Sequence, residues 1–179
     1  FSYSDMVAMY ARAAEWRAKL HAAKNPGTLF LIDGASCSGK TTLAHGLMSD
    51  PELGLAAVPR YCTREKRDLP TEDEYIFVSR EEFAAKASAG EFIEYRDFLF
   101  GMSYGLPWDR AVGPLLEGRS ALGVIDLGSA RHVRNIFPEA VTILIHAPLE
   151  TLRKRLVARG LNKEEQIEER IGNARTVEL

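Results

Sequence analysis

An eight-residue segment, GASCSGKT at positions 34–41, constrains the fold of this chain more than any other feature. The segment matches the phosphate-binding loop pattern G-x-x-x-x-G-K-[ST] at every fixed position. An apolar run at 28–33 precedes it, and a helical pattern at 39–48 follows it. In this order, a strand, a glycine-rich loop and a helix direct backbone N–H groups and the positive end of a helix dipole at a phosphate. A turn that only joins a strand to a helix does not need Lys and Thr at this spacing.

The loop residues are expected to bind ATP together with Mg²⁺. Lys40 would reach the β- and γ-phosphate oxygens, and the hydroxyl of Thr41 would coordinate Mg²⁺. The metal bridges the same oxygens and offsets charge as the γ-phosphoryl group departs. The residues predicted to bind the nucleotide are Gly34, Ser36, Ser38, Gly39, Lys40, Thr41 and Thr42.

The composition excludes several other classes of protein. With 179 residues, 46% hydrophobic and 27% charged, the chain fits one compact domain. Its formal net charge of −2 provides no global attraction to nucleic acid or to an anionic membrane. No apolar run approaches the roughly 20 residues of a membrane span, and Cys37 and Cys62 form neither a disulfide framework nor a metal-ligand set. We therefore expect a soluble, cytoplasmic protein without nucleic-acid or membrane partners, and the sequence does not predict its oligomeric state.

Short apolar runs alternate with longer stretches of helical spacing, which is typical of an α/β fold. Several of the runs are too apolar for strands with one solvated face, so they favour a central parallel sheet between helical layers. Predicted strands are 28–33, 58–63, 74–78, 92–98, 121–126 and 141–146; predicted helices are 39–48, 80–89, 109–117, 129–136, 149–159 and 163–174. A further helix, about 4–23, forms an N-terminal helical extension over residues 1–26, and we interpret it as a packing element rather than a dimer or regulatory surface.

Two clusters of basic residues stand out against the near-neutral net charge. One surrounds a strand end at 60–67, and the other follows a later helix at 153–159. Arg155 and Arg159 are spaced i, i+4, which places both guanidinium groups on one helix face, where they can hold phosphate oxygens. Several glutamates follow at 164–169. Weak surface ion pairs are therefore an equally good interpretation from these residues alone.

From about Thr28 to Arg175, the order of motifs resembles the guanylate kinase family of nucleoside monophosphate kinases. The resemblance is carried by GASCSGKTT at the loop, RYCTREKR at 60–67, EYIFVSREEF at 74–83, GEFIEY at 90–95, and the later stretches RKRLVARG and EERI. It implies a three-layer P-loop NTPase fold for residues 27–179, with an acceptor-binding subdomain at about 60–106 and a helical lid at about 153–171. Such enzymes close over both substrates.

The resemblance also implies roles for individual residues. Arg64 and Arg67 are similar to the pair that grips the acceptor's phosphate. By the same resemblance, Tyr75 and Tyr104 hydrogen-bond to that phosphate. Glu94 and Asp126 are similar to the carboxylates that recognise guanine. The catalytic set is Lys40 with three arginines. Arg155 and Arg159 are similar to the lid arginines that touch the ATP phosphates, and Arg170 is similar to a third arginine that approaches the transferred group.

The chain departs from the family pattern mainly where the base would bind. Arg60, which we still expect in the acceptor site, replaces a small hydroxyl residue that contacts the guanine carbonyl, and Leu106 replaces a Ser or Thr. The connection DLPTEDE at 68–74 is one residue shorter than usual, and Gly128-Ser129 replaces Gln-Gly. Because lost hydrogen bonds weaken discrimination against analogues, we expect looser specificity for GMP.

Three functions remain open from the sequence. The first is a kinase that converts GMP and ATP to GDP and ADP, and the second is a divergent kinase for another small anionic acceptor. The stretch at 60–64 also resembles ribose 1,5-bisphosphate phosphokinases, which favours a sugar phosphate in the second case. The third, a catalytically silent binding module, is disfavoured by the intact Gly39, Lys40 and Thr41. A phosphate acceptor needs no general base, whereas a hydroxyl acceptor would make Asp126 or Glu94 the candidate proton acceptor.

Overall fold

The computed structural model describes residues 3–66, 74–98, 101–160 and 163–176. Its helices are α1 Tyr3–Ala22, α2 Lys40–Met48, α3 Arg80–Ser88, α4 Trp108–Leu116, α5 Ser129–Ile136, α6 Leu149–Ala158 and α7 Glu164–Arg175. Its strands are β1 Leu29–Gly34, β2 Ala56–Val58, β3 Arg60–Cys62, β4 Tyr75–Phe77, β5 Phe92–Phe98, β6 Met102–Pro107, β7 Ala121–Val124 and β8 Val141–Ile145. In these segments, no helix combines the length and the apolar character needed to cross a membrane.

The central sheet has the strand order β2-β7-β1-β8, and every pairing in it is parallel. In register, Leu29 of β1 lies beside Ala121 of β7, and Phe30 lies beside Val141 of β8. Parallel strands place their carboxyl ends at one edge of a sheet, so the loop after β1 and the segment after β7 meet there. The predicted parallel α/β fold is confirmed.

Helices pack on both faces of this sheet, as the apolar strands predicted. On one face, α2 packs through Ala44 against Ile32 and Leu122. On the other, α4 and α5 form the main core with β1 through residues that include Leu31, Trp108, Val112, Leu115, Val133 and Ile136. Because both faces are covered by apolar side chains, the sheet is a rigid support for the loops at its carboxyl edge.

A second sheet has the strand order β4-β3-β6-β5. β3 pairs in parallel with β4, whereas β6 pairs antiparallel with both β3 and β5. A small aromatic core supports it, in which the rings of Phe83 and Phe92 stack with centroids 4.8 Å apart. This sheet carries most of the residues predicted to bind the acceptor.

The single strand predicted at 58–63 is wrong, because the chain changes sheets at Pro59. β2 ends before it in the central sheet, and β3 begins after it in the second sheet. Proline has no N–H group to donate to a continuous ladder, which explains the break. This change of sheet leads the chain from the central sheet directly into the segment that is predicted to bind the acceptor.

The sequence also failed to predict β6, because Gly105 and Pro107 resemble turn residues. In the structure, Gly105 pairs with Tyr61 and Tyr95, and a Cβ atom on it would lie 2.9 Å from the ring of Phe92. The glycine is therefore needed for the close approach of an aromatic ring. Pro107 ends the strand at the start of α4, where a missing N–H is tolerated.

Helix α1 packs against both the main core and the elements of the second sheet. It buries Met9, Ala13 and Leu20 and contacts α3, α4 and β5. Its approach to the second sheet is close at Gly90, where a Cβ atom would lie 2.6 Å from the carbonyl oxygen of Ala8. The helix thus connects the central core to the acceptor region.

Candidate functional site

The phosphate-binding loop turns between β1 and α2 with positive φ angles, which favour glycine. Gly39 has φ 109° at the start of α2, and Cys37 is in the left-handed region with φ 64°. A Cβ atom on Gly34 would overlap the carbonyl oxygen of Ile145 on β8. These positions explain why the fixed glycines of the pattern stand where they do.

Lys40 closes over the loop that precedes it. Its Nζ atom donates to the carbonyl oxygens of Gly34 at 2.6 Å and Ala35 at 2.8 Å. Burial lowers the pKa of Lys40, while the nearby carboxylates of Asp126 and Asp33 oppose that shift. The ammonium group is therefore held inside the cleft, where a phosphate can replace the carbonyl oxygens as its partner.

The loop fits the phosphates of a nucleotide. The hydroxyl of Ser38 is buried and has no hydrogen-bond partner among the described residues, and nothing lies within 4 Å of the position where Gly39 would carry a Cβ atom. The first turn of α2 has no side-chain cap, so its N–H groups are available to an anion. An unsatisfied hydroxyl, open space and an uncapped helix N-terminus therefore occur within the same loop.

Thr41 and Thr42 line the same cleft at the start of α2. In the described segments, no group of three or more His, Cys, Asp or Glu residues could hold a metal ion. Mg²⁺ needs no such group, since it usually keeps several waters and binds one or two protein ligands plus phosphates. The hydroxyl of Thr41 is of the right type for that limited role.

The arginines of α6 and α7 divide into two sets. Arg155 donates to the carbonyl oxygens of Cys37 at 3.1 Å and Ser38 at 3.3 Å, and Arg170 donates to the hydroxyl of Ser36 at 3.0 Å. Arg153 instead pairs with Glu164 and Glu168 on the surface. The surface ion pairs are therefore confirmed for Arg153, whereas phosphate binding by Arg155 stays a prediction.

Packing between α6 and α7 aims these arginines at the loop. Leu152 and Leu156 of α6 pack against Ile167 and Ile171 of α7, and Cys37 lies against the same cluster. Arg159, at the end of α6, lines the cleft as well. Of the three arginines predicted by resemblance, Arg155 and Arg170 thus contact the loop, and Arg159 lines the same cleft.

One cleft of about 1640 Å³ joins the loop to the acceptor region. At its far end, the guanidinium group of Arg64 lies 4.9 Å from the ring of Tyr75 and 5.1 Å from that of Phe77. The rings of Tyr75 and Tyr104 meet edge to face at 5.8 Å. Burial raises the pKa of both tyrosines, that of Tyr104 to about 12, so their hydroxyl groups stay protonated hydrogen-bond donors at neutral pH.

Two predicted features cannot be placed. Arg67 lies outside the described residues, as does the connection at 68–73.

Arg60 lines the same cleft and is almost completely buried. Its Nη2 atom donates to Glu94 at 2.9 Å and its Nη1 atom to Asp126 at 2.7 Å. Burial acts to lower the pKa of Arg60, but the two carboxylates outweigh it and hold the guanidinium charged. Burial likewise acts to raise the pKa of Asp126, and Arg60 reverses this, so that this carboxyl group titrates below its usual range. The sequence placed all three residues in the site but did not predict that they pair with one another.

Three further residues at the site were not predicted from sequence. Ser129 donates from its hydroxyl to Glu94 at 3.1 Å, and Arg96 donates to the carbonyl oxygen of Leu127 at 2.9 Å while lining the cleft. Asp33, at the end of β1, is buried beside the loop and accepts from the N–H of Ala130 at 3.2 Å. The alternation of side chains along β5 could have identified Arg96, because it follows Glu94 by two residues.

Leu106 lies outside the polar part of the site. It is fully buried in the main core beside β7. No hydrogen bond to a ligand can come from this side chain, so the polar contact that its counterpart makes in the family is absent here.

Comparisons with known proteins agree with this geometry. The guanylate kinase family profile matches residues 27–177. The chain is 37% identical over 152 residues to a guanylate kinase of Hahella chejuensis, covering 83% of this chain and 71% of that protein. It is 39% identical over 160 residues to one of Thermosynechococcus vestitus, covering 87% and 81% respectively. Among solved structures, a guanylate kinase from Anaplasma phagocytophilum superposes with a TM-score of 0.61 at 30% identity, covering 75% of this chain and 69% of that one. The chain belongs to the guanylate kinase family.

Proposed function

We propose that this protein transfers the γ-phosphoryl group of ATP to GMP and so produces ADP and GDP. The observation that carries the proposal is one continuous cleft, which is lined by Lys40 and Arg155 as well as by Arg64, Tyr75 and Tyr104. Donor phosphates and an acceptor phosphate bound by these two groups of residues would share that cleft. The relatives, which are named guanylate kinases, support the same reaction.

At the donor end, the loop would bind the β- and γ-phosphates of ATP. Lys40 would exchange its two carbonyl partners for phosphate oxygens, and Ser38 and the first N–H groups of α2 would donate to the same anion. Arg155 and Arg170 already contact loop atoms, so a short movement of α6 and α7 would bring them onto the transferred group. Mg²⁺, with Thr41 as its protein ligand, would supply charge neutralisation at the β- and γ-oxygens.

At the acceptor end, the phosphate of GMP would bind Arg64, with Arg67 as a further predicted partner. Tyr75 and Tyr104 are protonated and can donate to its oxygens. No general base is required, because a phosphate oxygen is already anionic and the reaction depends on positioning and charge stabilisation. Glu94 is 1% exposed and has hydrogen bonds at both oxygens, which disfavours a proton-accepting role for it.

A second candidate acceptor is a phosphorylated molecule without a base, such as a sugar phosphate. It is favoured by one observation: Arg60 lines the cleft and already pairs with both carboxylates there. A silent binding module is not proposed, because the loop, its lysine and the arginines that reach it are all in place.

The test is release of ADP in a coupled assay with ATP, Mg²⁺ and a panel of GMP, other nucleoside monophosphates and ribose phosphates. We expect turnover that depends on GMP. Turnover with a ribose phosphate and none with any nucleotide would refute GMP as the acceptor and support the second candidate. No turnover with any acceptor, for a folded protein that binds ATP, would refute the kinase function.

A cytoplasmic location is part of the same proposal. It is supported by Cys37 and Cys62, which are both free thiols in the structure. Free cysteines are typical of reducing compartments, where ATP is also available.

A further inference from the structure

Helix α1 carries large apolar side chains on the side that faces away from the protein. Of the nine exposed large apolar side chains among the described residues, four lie in the first half of this helix, Tyr3, Met6, Val7 and Tyr10. They are 80%, 39%, 52% and 54% exposed, in that order. Single exposed apolar residues are ordinary on a protein surface, whereas a contiguous patch of them marks an interaction site.

Neither packing nor the phosphotransfer site accounts for this patch. The opposite side of α1 buries Met9, Ala13 and Leu20 in the main core. The interpretation of α1 as a packing element therefore explains that side of the helix alone. None of the α1 residues lines the cleft, and the family profile begins to match only at residue 27. The outer side of α1 is thus a separate feature of this chain.

Small residues continue the patch towards the end of the helix. Ala11, Ala14 and Ala18 are all exposed. Together with three of the large residues they follow the i, i+4, i+7, i+8, i+11, i+15 spacing of one helix face. We call this face the α1 stripe, which consists of Tyr3, Val7, Tyr10, Ala11, Ala14 and Ala18. It includes no Asp, Glu, Lys, Arg or His, and it is large in one half of the helix and small in the other.

The α1 stripe is complementary to a second copy of itself. Under a twofold axis that passes between residues 10 and 11, Tyr3 faces Ala18 of the second copy, Val7 faces Ala14, and Tyr10 faces Ala11. Each large side chain then meets an alanine, so two antiparallel helices can approach to about 8 Å without a clash. A twofold interface requires this self-complementarity, because the same patch serves both copies. A chemically different partner would not require the two halves of the stripe to match.

We propose that this protein forms a twofold dimer through the α1 stripe, with the two α1 helices antiparallel. Burial of the exposed tyrosine and valine side chains drives the association. The contact is limited to one helix face from each copy, so the dimer is weak, with a dissociation constant on the order of micromolar. This inference goes beyond phosphoryl transfer and does not depend on it, since the stripe lies outside the cleft.

Sedimentation velocity between about 1 and 100 µM tests the association, because a micromolar dissociation constant lies within that range. We expect the natural protein to change from monomer to dimer as its concentration rises. Val7→Glu and Ala14→Glu each bury an unpaired charge in the interface, one from each half of the stripe, and should weaken the dimer about tenfold or more. The matched control is Leu53→Glu, because Leu53 is 48% exposed and lies outside α1. It should dimerise like the natural protein.

Disulfide cross-linking tests the antiparallel geometry. Ala11 lies next to the proposed axis, only about 1.5 Å along the helix from its counterpart in the second copy, so Ala11→Cys should form a cross-linked dimer on oxidation. Ala18 lies about 22 Å along the helix from its counterpart, so Ala18→Cys should not. A parallel pair would cross-link both variants. The natural protein is the background control, because Cys37 and Cys62 are free thiols.

Three results would each overturn the inference. The first is a natural protein that stays monomeric over the whole concentration range. The second is a dimer that Val7→Glu and Ala14→Glu leave as stable as Leu53→Glu does, which would place the interface elsewhere. The third is cross-linking of Ala18→Cys as efficient as that of Ala11→Cys, or none of Ala11→Cys above the background. If circular dichroism shows that one of the glutamate variants does not fold, the other variant and the cross-links decide. Failure of the kinase function would leave all these measurements unchanged.

Discussion

Arg155 Nη1 lies 3.1 Å from the carbonyl oxygen of Cys37, although 118 positions separate the two residues. This contact joins helix α6 to the outer side of the phosphate-binding loop. Cys37 also packs against the apolar cluster between α6 and α7, so the loop and the two helices form one structural unit. Arg155 is therefore held directly against the loop.

Replacement of Lys40 by Ala is expected to abolish phosphoryl transfer and leave the fold intact. The variant removes the one ammonium group inside the loop and lowers kcat by about 10³-fold or more, a typical loss for a group that stabilises developing charge. The measurement is kcat in the ADP-release assay, with circular dichroism as the test of folding. Lys154→Ala is the matched control, because Lys154 is exposed and pairs with Glu150 at the surface. Turnover by Lys40→Ala near the natural rate would refute the assignment of the loop.

Arg155→Ala and Arg153→Ala separate the two sets of arginines on α6. Arg155 reaches the loop, so its loss should lower kcat by about 10²-fold. Arg153 pairs with glutamates of α7 at the surface, so its loss should change kcat less than about twofold. Steady-state kinetics with saturating ATP and GMP give both values. Equal losses in the two variants would contradict a specific role for Arg155.

Arg64→Ala is expected to weaken binding of the acceptor and leave ATP binding unchanged. A charged hydrogen bond to phosphate is worth about 1.5–3 kcal/mol, which corresponds to a rise of roughly 10- to 100-fold in the KM for GMP. Lys66→Ala is the control, since Lys66 is an exposed cation two residues further along. A rise in the KM for ATP instead would place Arg64 at the wrong end of the cleft.

The donor end of the site could be predicted from sequence because its residues are contiguous. Positions 34–42 carry the whole loop, and their order alone fixes the turn and the start of α2. The acceptor end could be identified only by resemblance, because Arg60, Glu94 and Asp126 come from three separate elements. Their mutual pairing depends on the change of sheet at Pro59, and periodicity gives no signal for such a change.

Strand β6 was missed for a related reason. Gly105 is required by the ring of Phe92, a contact between different strands that local propensity does not contain. Ser129 was noticed only as a departure from a family pattern, and its hydrogen bond to Glu94 needed the structure. In contrast, the helices were predicted well because their apolar spacing is a local property.

Helix α1 is fixed to the central core by an ion pair with Glu139. Arg17 donates to both carboxylate oxygens, with its Nη2 atom 2.8 Å from Oε1, and His21 Nε2 lies 2.8 Å from the same oxygen. Burial acts to raise the pKa of Glu139, but the hydrogen bonds from Arg17, from its own backbone N–H and from His21 together outweigh it and hold this pKa below its usual range. The stabilisation is therefore present above the unfolded glutamate pKa and is lost as the pH falls through the lower folded value.

Glu139→Gln is accordingly expected to destabilise the protein at pH 7 by about 0.5–1 kcal/mol, because the pair is partly exposed. For a chain of this size, that is a fall of roughly 1–4 °C in Tm. The difference should narrow as the pH is lowered from about 4.3, because protonation removes the charge in the natural protein as well. Thermal unfolding at a series of pH values measures it, with Glu15→Gln as the control, since Glu15 pairs with Arg12 on the exposed side of α1. A Tm difference that stays constant down to the lowest pH would show that the carboxylate charge does not hold this helix in place.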